Sequence, residues 1–368
     1  MADEVDITAN DSNDTIPLSG RDTATHEGLL FAYGSLLVMA LVPIFWGARR
    51  SVYFHEGLKQ RGESAAERIT AKDAAMFPLY ASAGLFGLYL FFRYLSKEYV
   101  NLLLSIYFFG LGVGALTRVT SILVEMLIPS SILNHMTCYS LLLEQRDRRG
   151  DKEEVFKLEF NIADIGLCVL AVLTGIAYFV TKHWLLNNVF GICFAFTAIE
   201  LISLQSIPVG CILLTGLFFY DIFWVFGTDV MVTVARSFEA PIKLVFPMDF
   251  LEHGIYGNNF SLLGLGDIVL PGIFVALLCR YDARQHPDRS RLYFIVSFIA
   301  YIIGLLTTIV VMHTFRTAQP ALLYLVPACL GLPLVTAVIK GEIADLWKFE
   351  DYPDVKPEEE TTKSDKTE

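Results

Sequence analysis

Residues 208–227 read PVGCILLTGLFFYDIFWVFG, and this stretch decides the fold. It is 20 residues long, and Asp221 is the one side chain in it that carries a formal charge. A helix needs about 20 mainly apolar residues to cross the hydrocarbon core of a bilayer. The stretch therefore predicts a transmembrane helix that holds an acidic group inside it.

Runs of similar length and hydropathy recur along the chain. Of its 368 residues, 54% are hydrophobic and only 18% are charged, whereas a soluble domain carries about 25% charged residues. The predicted fold is an all-α integral membrane protein with nine transmembrane helices. The predicted spans are residues 28–47, 74–92, 99–117, 162–181, 185–203, 208–227, 261–280, 292–311 and 320–340.

Two stretches fit this pattern less well than the others. The fifth span, residues 185–203, contains Glu200. Residues 122–143 contain Glu125 and Pro129, and we interpret them as interfacial or re-entrant structure, with a tenth span as the alternative.

The placement of Lys and Arg predicts the orientation in the membrane. With nine spans, one set of loops holds 21 of the 28 basic residues, and cytosolic loops carry the excess of Lys and Arg. The N-terminus is then luminal and the C-terminus cytosolic. Residues 1–27 form a polar luminal segment with glycosylation sequons at Asn10 and Asn13. Residues 341–368 are expected to form an acidic, disordered cytosolic tail.

Composition and spacing argue against several classes of function. The net charge of −11 disfavours nucleic acid as a partner, because phosphate recognition needs a basic surface. The six cysteines have no CxxC spacing and the seven histidines form no HExxH pattern. We therefore expect no metal site and no cofactor, and we interpret the cysteines as small apolar packing residues.

Two aspartates, Asp221 and Asp267, lie in apolar surroundings. A charge at membrane depth costs at least ~2.5–3.5 kcal/mol, so each is a candidate functional group. Their spans are consecutive and antiparallel, and each aspartate lies about six residues from the luminal end, ~9 Å deep. The two carboxyl groups are expected to meet, one protonated and the other acting as a base that activates water. Helix packing and an ion or proton pathway are the alternative roles.

The sequence around the aspartates suggests how an extended chain could approach them. Gly264 and Gly266 expose backbone beside Asp267, although close helix packing would use the same small residues. Residues 230–234 and 242–246 are β-prone and could offer a strand edge to a substrate. An ordinary amphipathic luminal loop is the alternative for these two segments.

Three short motifs carry a resemblance to a known family. They are YD at residues 220–221, GLGD at residues 264–267 and PAL at residues 320–322. In this order, and in the sixth, seventh and ninth spans, they resemble the signatures of the signal peptide peptidase family of presenilin-like GxGD intramembrane aspartyl proteases. The resemblance implies that Asp221 and Asp267 form the catalytic pair. The residues that it implies to contact substrate or shape the active site are Tyr220, Gly264, Gly266, Pro320, Ala321 and Leu322.

The resemblance also implies an activity and a location. The activity is cleavage of remnant signal peptides and type II transmembrane segments within the membrane of the endoplasmic reticulum. Such helices and the lipid bilayer are the expected partners, with self-association and membrane-protein quality-control machinery as further candidates. The tail places only Lys366 at a dilysine retrieval position, so retention in the reticulum rests on the resemblance. A carboxylate-coupled channel or transporter and a non-catalytic membrane-protein chaperone are the alternative functions.

Overall fold

The computed structural model describes most of the chain. The described residues are 25–60, 68–127, 138–146, 152–228, 230–237, 240–257, 259–285, 291–315 and 319–351. Asn10, Asn13 and the part of the expected tail beyond residue 351 lie outside the described residues.

Helices dominate the described chain, and eight of them are long and apolar enough to cross a membrane. In chain order the helices are α1 (His26–Gln60), α2 (Ala71–Tyr94), α3 (Lys97–Leu127), α4 (Ile162–Thr181), α5 (Trp184–Leu201), α6 (Ile207–Phe226), α7 (Val230–Ser237), α8 (Phe250–His253), α9 (Gly266–Gln285), α10 (Leu292–Phe315), α11 (Leu322–Lys340) and α12 (Ile343–Lys348). The eight are α1 to α6, α10 and α11, and each coincides with a predicted span. The described chain is mostly helical, and its eight candidate spans are consistent with the predicted multi-pass membrane protein.

Helix α9 corresponds to the remaining predicted span and differs from the others in its surroundings. It carries four charged residues, which are Asp267, Arg280, Asp282 and Arg284. Every residue from Pro271 to Asp282 is buried, and α9 packs against α1, α5, α6, α10 and α11. Its charged groups therefore lie against protein rather than lipid, which is where ionisable residues are tolerated within a membrane.

Close packing of α9 depends on a small residue at its centre. A Cβ added to Gly272 would lie 2.6 Å from the side chain of Ile199 on α5 and 3.3 Å from that of Ile44 on α1. Both distances are shorter than a normal carbon contact. The absence of a side chain at Gly272 thus lets three helices meet around the centre of the protein.

Two helices are longer than the sequence predicted. Helix α1 continues 13 residues past residue 47, because Ala48, Val52 and His55 keep a buried face at helical spacing. Helix α3 continues to Leu127, and residues 138–143 lie in a strand. Within the stretch 122–143, the described residues 122–127 thus end a helix and 138–143 begin a strand, and residues 128–137 lie outside the described part of the chain.

Short strands connect the helices. They are β1 (Arg68–Ile69), β2 (Cys138–Arg146), β3 (Lys152–Asn161), β4 (Ser203–Leu204), β5 (Lys243–Pro247) and β6 (Phe260–Gly264). β1 pairs with β4 in parallel, whereas β2 pairs with β3, and β5 with β6, in antiparallel fashion. The predicted strand at 242–246 is confirmed by β5. The prediction for 230–234 was wrong, because these residues begin α7, which packs against α2.

The last described residues correct the prediction that everything after residue 340 is a disordered tail. Residues 343–348 form α12, and Asp351 is completely buried. Its carboxylate accepts a 2.7 Å hydrogen bond from Arg280 Nε and pairs with Arg284. Since both arginines lie near the end of α9, ionic contacts fasten this segment to the central helix.

Candidate active site

Asp221 is held near the end of α6 by a contact with the start of α11. It is buried, and its Oδ2 accepts a 2.9 Å hydrogen bond from the backbone N–H of Leu322. Leu322 is the first residue of α11, and the first N–H groups of a helix lack acceptors within that helix. The N-terminal end of a helix also carries partial positive charge. The start of α11 therefore stabilises negative charge on Asp221.

Asp267 lies in the first turn of α9 rather than well inside a helix. The seventh span was predicted from residue 261, but residues up to Gly264 pair with β5 and the helix begins only at Gly266. The two glycines disfavour helical backbone at this point, so strand gives way to helix immediately before Asp267. Asp267 is half-buried. Asp221 is bonded to Leu322, and the adjacent Ala321 lines a cavity at Asp267, so the start of α11 lies beside both acidic residues.

A cavity lies against Asp267. Its volume is about 110 Å³, and its lining includes Leu263 and Gly264 of the β6 strand, Thr308 of α10 and Ala321 before α11. One water occupies roughly 30 Å³ in the liquid, so the cavity has room for water beside the carboxyl group. Its wall combines strand backbone with apolar side chains.

The two motif glycines have different surroundings. A Cβ added to Gly264 would lie 3.2 Å from Oδ2 of Asp267, whereas one added to Gly266 would approach nothing closer than 4.0 Å. Gly264 therefore leaves space for the carboxylate itself. Gly266 is exposed and marks the start of α9.

The PAL residues lead into α11, with Pro320 and Ala321 before the helix and Leu322 as its first residue. Pro320 and Leu322 are buried, and Ala321 is half-buried and lines the cavity. The carbonyl of Pro320 accepts from the N–H of Leu323, and that of Ala321 accepts from Leu325. The motif thus positions the backbone N–H of Leu322, which donates a hydrogen bond to Asp221.

Tyr220 contributes to packing beside the site. Its ring is half-buried and lies 6.4 Å from that of Trp224. Trp224 in turn donates a 3.0 Å hydrogen bond from Nε1 to Ser82 on α2. Tyr220 therefore packs against the tryptophan that joins α6 to α2, and it lies next to Asp221 in the chain.

Two asparagines that the sequence analysis did not single out hold the strands in place. Asn188 of α5 donates from Nδ2 to the carbonyl of Val245 at 2.6 Å and accepts from the Val245 N–H at 2.9 Å. Asn187 donates to the carbonyl of Lys243 at 2.7 Å. The sequence feature that could have indicated them is a pair of adjacent amide side chains inside an apolar span. Such side chains need polar partners at that depth in the membrane.

In the two-stranded sheet of β5 and β6, these hydrogen bonds occupy the outer edge of β5. Asn188 takes the place of a neighbouring strand along β5, whose other edge pairs with β6. The outer edge of β6 faces the opposite way, and residues 261–264 line the cavity at Asp267. An extended peptide that added to β6 would therefore place its backbone beside Asp267.

The arrangement suits hydrolysis of a peptide bond. Two neighbouring carboxyl groups can share one proton, so that one is a base for water and the other an acid for the carbonyl oxygen. Among the described residues, no group of His, Cys, Asp and Glu could hold a metal ion.

Comparison with known proteins identifies relatives over most of the chain. The family model for signal peptide peptidase matches residues 61–353. The chain is 51% identical over 331 residues to the signal peptide peptidase of Homo sapiens, covering 90% of this chain and 86% of that protein. It is 51% identical to the mouse protein of the same name over 95% of this chain and 91% of that one. A probable intramembrane protease of Schizosaccharomyces pombe is 33% identical over 92% of this chain and 98% of its own length.

Proposed function

The chain belongs to the signal peptide peptidase family and is an intramembrane protease, and on that premise we propose that its catalytic pair is Asp221 and Asp267. The observation that supports the proposal is the start of α11, where the N–H of Leu322 binds Asp221 and the adjacent Ala321 lines the cavity at Asp267. The residues proposed to shape the site around them are Tyr220, Gly264, Gly266, Pro320, Ala321 and Leu322.

The surroundings of the two carboxyl groups suggest which role each takes. Asp221 receives the Leu322 N–H at the start of α11, which favours its charged form. We assign Asp221 as the base that takes a proton from water. The water oxygen then bonds to the scissile carbonyl carbon while protonated Asp267 donates to the carbonyl oxygen. Collapse of the tetrahedral intermediate breaks the C–N bond: one of its two hydroxyl groups returns a proton to Asp267 as the C=O bond reforms, and the proton held by Asp221 passes to the leaving amine.

The substrate must arrive with extended backbone at the scissile bond. A transmembrane helix binds its carbonyl groups in hydrogen bonds between residues i and i−4, which hides them from attack. The outer edge of β6 offers backbone partners to a segment that has unwound. We therefore propose as substrates remnant signal peptides and type II transmembrane segments that carry helix-weakening residues near the cut.

The proposed location is the membrane of the endoplasmic reticulum, with the N-terminus in the lumen and the tail in the cytosol. The excess of basic residues in one set of loops supports this orientation. We propose that α9 also crosses the membrane, surrounded by the other helices. The protein then has nine spans, of which α9 is the seventh. Self-association and contact with quality-control machinery stay predictions.

The test of the catalytic pair compares four purified proteins on one signal-peptide substrate in detergent. They are the wild type, Asp221→Ala, Asp267→Ala and the double variant. We expect each single variant to lose activity by about 10²–10⁴-fold and the double variant to lose no more, because the two groups act as a unit. A single variant that keeps over a tenth of wild-type activity while folded would contradict the assignment. Asp221-dependent ion flux in liposomes without cleavage would favour a transporter instead.

The test of the substrate uses three matched polypeptides. They are a signal peptide, the same peptide with its helix-weakening residues changed to Leu, and the uncleaved preprotein. Residues such as Gly cost up to ~1 kcal/mol each in a helix relative to Ala, so we expect the first peptide to be cleaved fastest. The preprotein should be cleaved least, because its large luminal domain crowds the side on which the aspartates are predicted to lie. Equal cleavage of all three would show that neither unwinding nor prior release limits the reaction.

A further inference from the structure

A large cavity lies away from the aspartates, in a groove between α1 and α3. Its volume is about 460 Å³, within the range of roughly 300–1,000 Å³ that is typical of small-molecule sites. Helix α5 forms its floor through Ile192 and Phe196. The remaining lining residues are Val42, Pro43, Trp46, Arg49, Arg50, Tyr53, Val119, Ile122, Leu123 and Met126.

The groove has an apolar body and a basic end. Along α1 its residues run from Val42 to Tyr53 on one face, a length of about 16 Å. Arg49 and Arg50 lie toward one end, between the exposed aromatic side chains of Trp46 and Tyr53. Trp and Tyr beside Arg are typical of the boundary between hydrocarbon and headgroups.

At the basic end of the groove, the described arginines outnumber the glutamates that pair with them. Glu200 is buried on α5 and pairs with Arg50 at 3.5 Å and with Arg118 at 3.0 Å. Arg50 also lies 3.6 Å from Glu125. Arg49 is exposed and lies over the ring of Phe45, and within the described residues no carboxylate pairs with it. Three arginines thus face two glutamates, and Arg49 carries the uncompensated charge.

We propose that this groove binds one anionic phospholipid, with the phosphate on Arg49 and an acyl chain in the apolar body. The planar guanidinium matches phosphate oxygens, and basic pockets between transmembrane helices favour anionic headgroups. The length of the groove also selects a lipid over a helix. About 16 Å is half of the ~30 Å hydrocarbon core, so the groove serves one leaflet, whereas a partner helix would need contact across both.

The site differs in place and chemistry from the proposed active site. None of its lining residues lines the cavity at Asp267. Helix α1 is shared, because its other end contributes Tyr33 and Leu36 to that cavity. A lipid held between α1 and α3 would therefore brace a helix that packs against the catalytic helix α9.

Native mass spectrometry of the purified full-length protein tests the headgroup contact. The protein in detergent is mixed with equal amounts of palmitoyl-oleoyl phosphatidylserine and phosphatidylcholine. We expect one phosphatidylserine to be retained in preference by the wild type. Arg49→Gln should lower its retention about tenfold, as for the loss of one charge-assisted contact. Lys340→Gln, which removes an exposed basic residue at the end of α11, is the matched control and should behave as the wild type.

A second pair of variants tests the acyl-chain position. Leu123→Trp fills the groove and should lower retention without changing the thermal unfolding of the lipid-free protein. Leu111→Trp, at a similarly exposed position on α3 outside the groove, should retain the lipid. Equal retention of the two lipids by the wild type, or retention unchanged by Arg49→Gln, would mean ordinary surrounding lipid and would overturn the proposal. A photo-crosslinker at Met126 that captures a polypeptide instead of lipid in membranes would overturn it as well.

Discussion

The backbone N–H of Leu322 donates a 2.9 Å hydrogen bond to Oδ2 of Asp221, which joins α11 to α6 across 101 residues of sequence. The bond satisfies an N–H at a helix start that has no acceptor within its own helix. Asp221 therefore has a structural task beside its proposed chemical one. The PAL residues act on the site through this backbone group rather than through a reactive side chain.

This double task predicts different stabilities for two variants that we expect to be inactive. Asp221→Asn keeps an acceptor for the Leu322 N–H but removes the charge, whereas Asp221→Leu removes both. We expect both to lose cleavage, and only Asp221→Leu to lose about 1–3 kcal/mol of stability, the cost of a buried unsatisfied group. Thermal unfolding in detergent measures the difference. Equal melting temperatures would show that the bond contributes nothing to the packing of α6 against α11.

The two motif glycines should respond differently to alanine. Gly264→Ala places a methyl group 3.2 Å from the Asp267 carboxylate, and Gly266→Ala places one in open space. We expect Gly264→Ala to lower kcat about tenfold, because small displacements of a catalytic group are costly. The kcat of Gly266→Ala should stay within about threefold of the wild-type value, because this substitution changes little other than the helix propensity of the residue. Initial cleavage rates of the two variants measure this, and the reverse order would contradict the geometry.

Asn188 should matter more than Asn187 for cleavage. Asn188→Leu leaves both the N–H and the carbonyl of Val245 without their partner, whereas Asn187→Leu removes one bond to Lys243. Each unsatisfied group costs about 1–3 kcal/mol, and freeing the edge of β5 loosens the strand pair beside Asp267. We expect a higher KM for Asn188→Leu with the same substrate. A KM unchanged from the wild type would mean that the β5–β6 pair does not receive substrate.

Hydropathy predicted the long helices well because the bilayer sets their length, but it could not predict their ends. The apolar criterion stops α1 at residue 47, where charges begin. The helix continues because Val52 and His55 face protein, a contact that depends on tertiary structure. The surroundings of α9 could not be predicted from hydropathy either, because its charged residues pair with residues that are distant in sequence, such as Asp351.

The acidic pair was predictable and its surroundings were not. Charges in apolar runs draw attention to Asp221 and Asp267 without any fold. The residues of strand β6 belong to an apolar stretch whose sequence is equally compatible with a helix. They form a strand because they pair with β5. The roles of Asn188 and of the Leu322 N–H require distances that local sequence does not contain.

Glycosylation tests the predicted orientation of the first 27 residues. We expect Asn10 and Asn13 to be modified when the protein is made in cells, because the basic count places them in the lumen. Glycosidase treatment should increase gel mobility, and Asn10→Gln and Asn13→Gln should each reduce the shift. Absence of a shift, together with modification of a sequon engineered into residues 286–290, would invert the topology.

The buried Asp351 predicts an acid-sensitive fastening of the C-terminal segment. Burial opposes its charge, but Arg280 and Arg284 outweigh burial and hold the pKa of Asp351 below its ordinary value. A carboxyl group with a lowered folded-state pKa stabilises the fold above its unfolded pKa of about 3.9 and loses that contribution as pH falls through the folded value. The contribution should therefore be constant from pH 7 to about pH 5 and disappear in stronger acid.

Asp351→Asn isolates this contribution. Removing one partner of a buried ion pair costs about 3–5 kcal/mol, so we expect a lower melting temperature at pH 7 and a smaller further loss on acidification. Asp345→Asn, at an exposed carboxylate on α12, is the control and should match the wild type at both pH values. Because Arg280 and Asp267 lie on the same helix, cleavage should fall with stability in Asp351→Asn. If the two variants unfold alike across the pH range, the contact between Asp351 and α9 does not stabilise the protein.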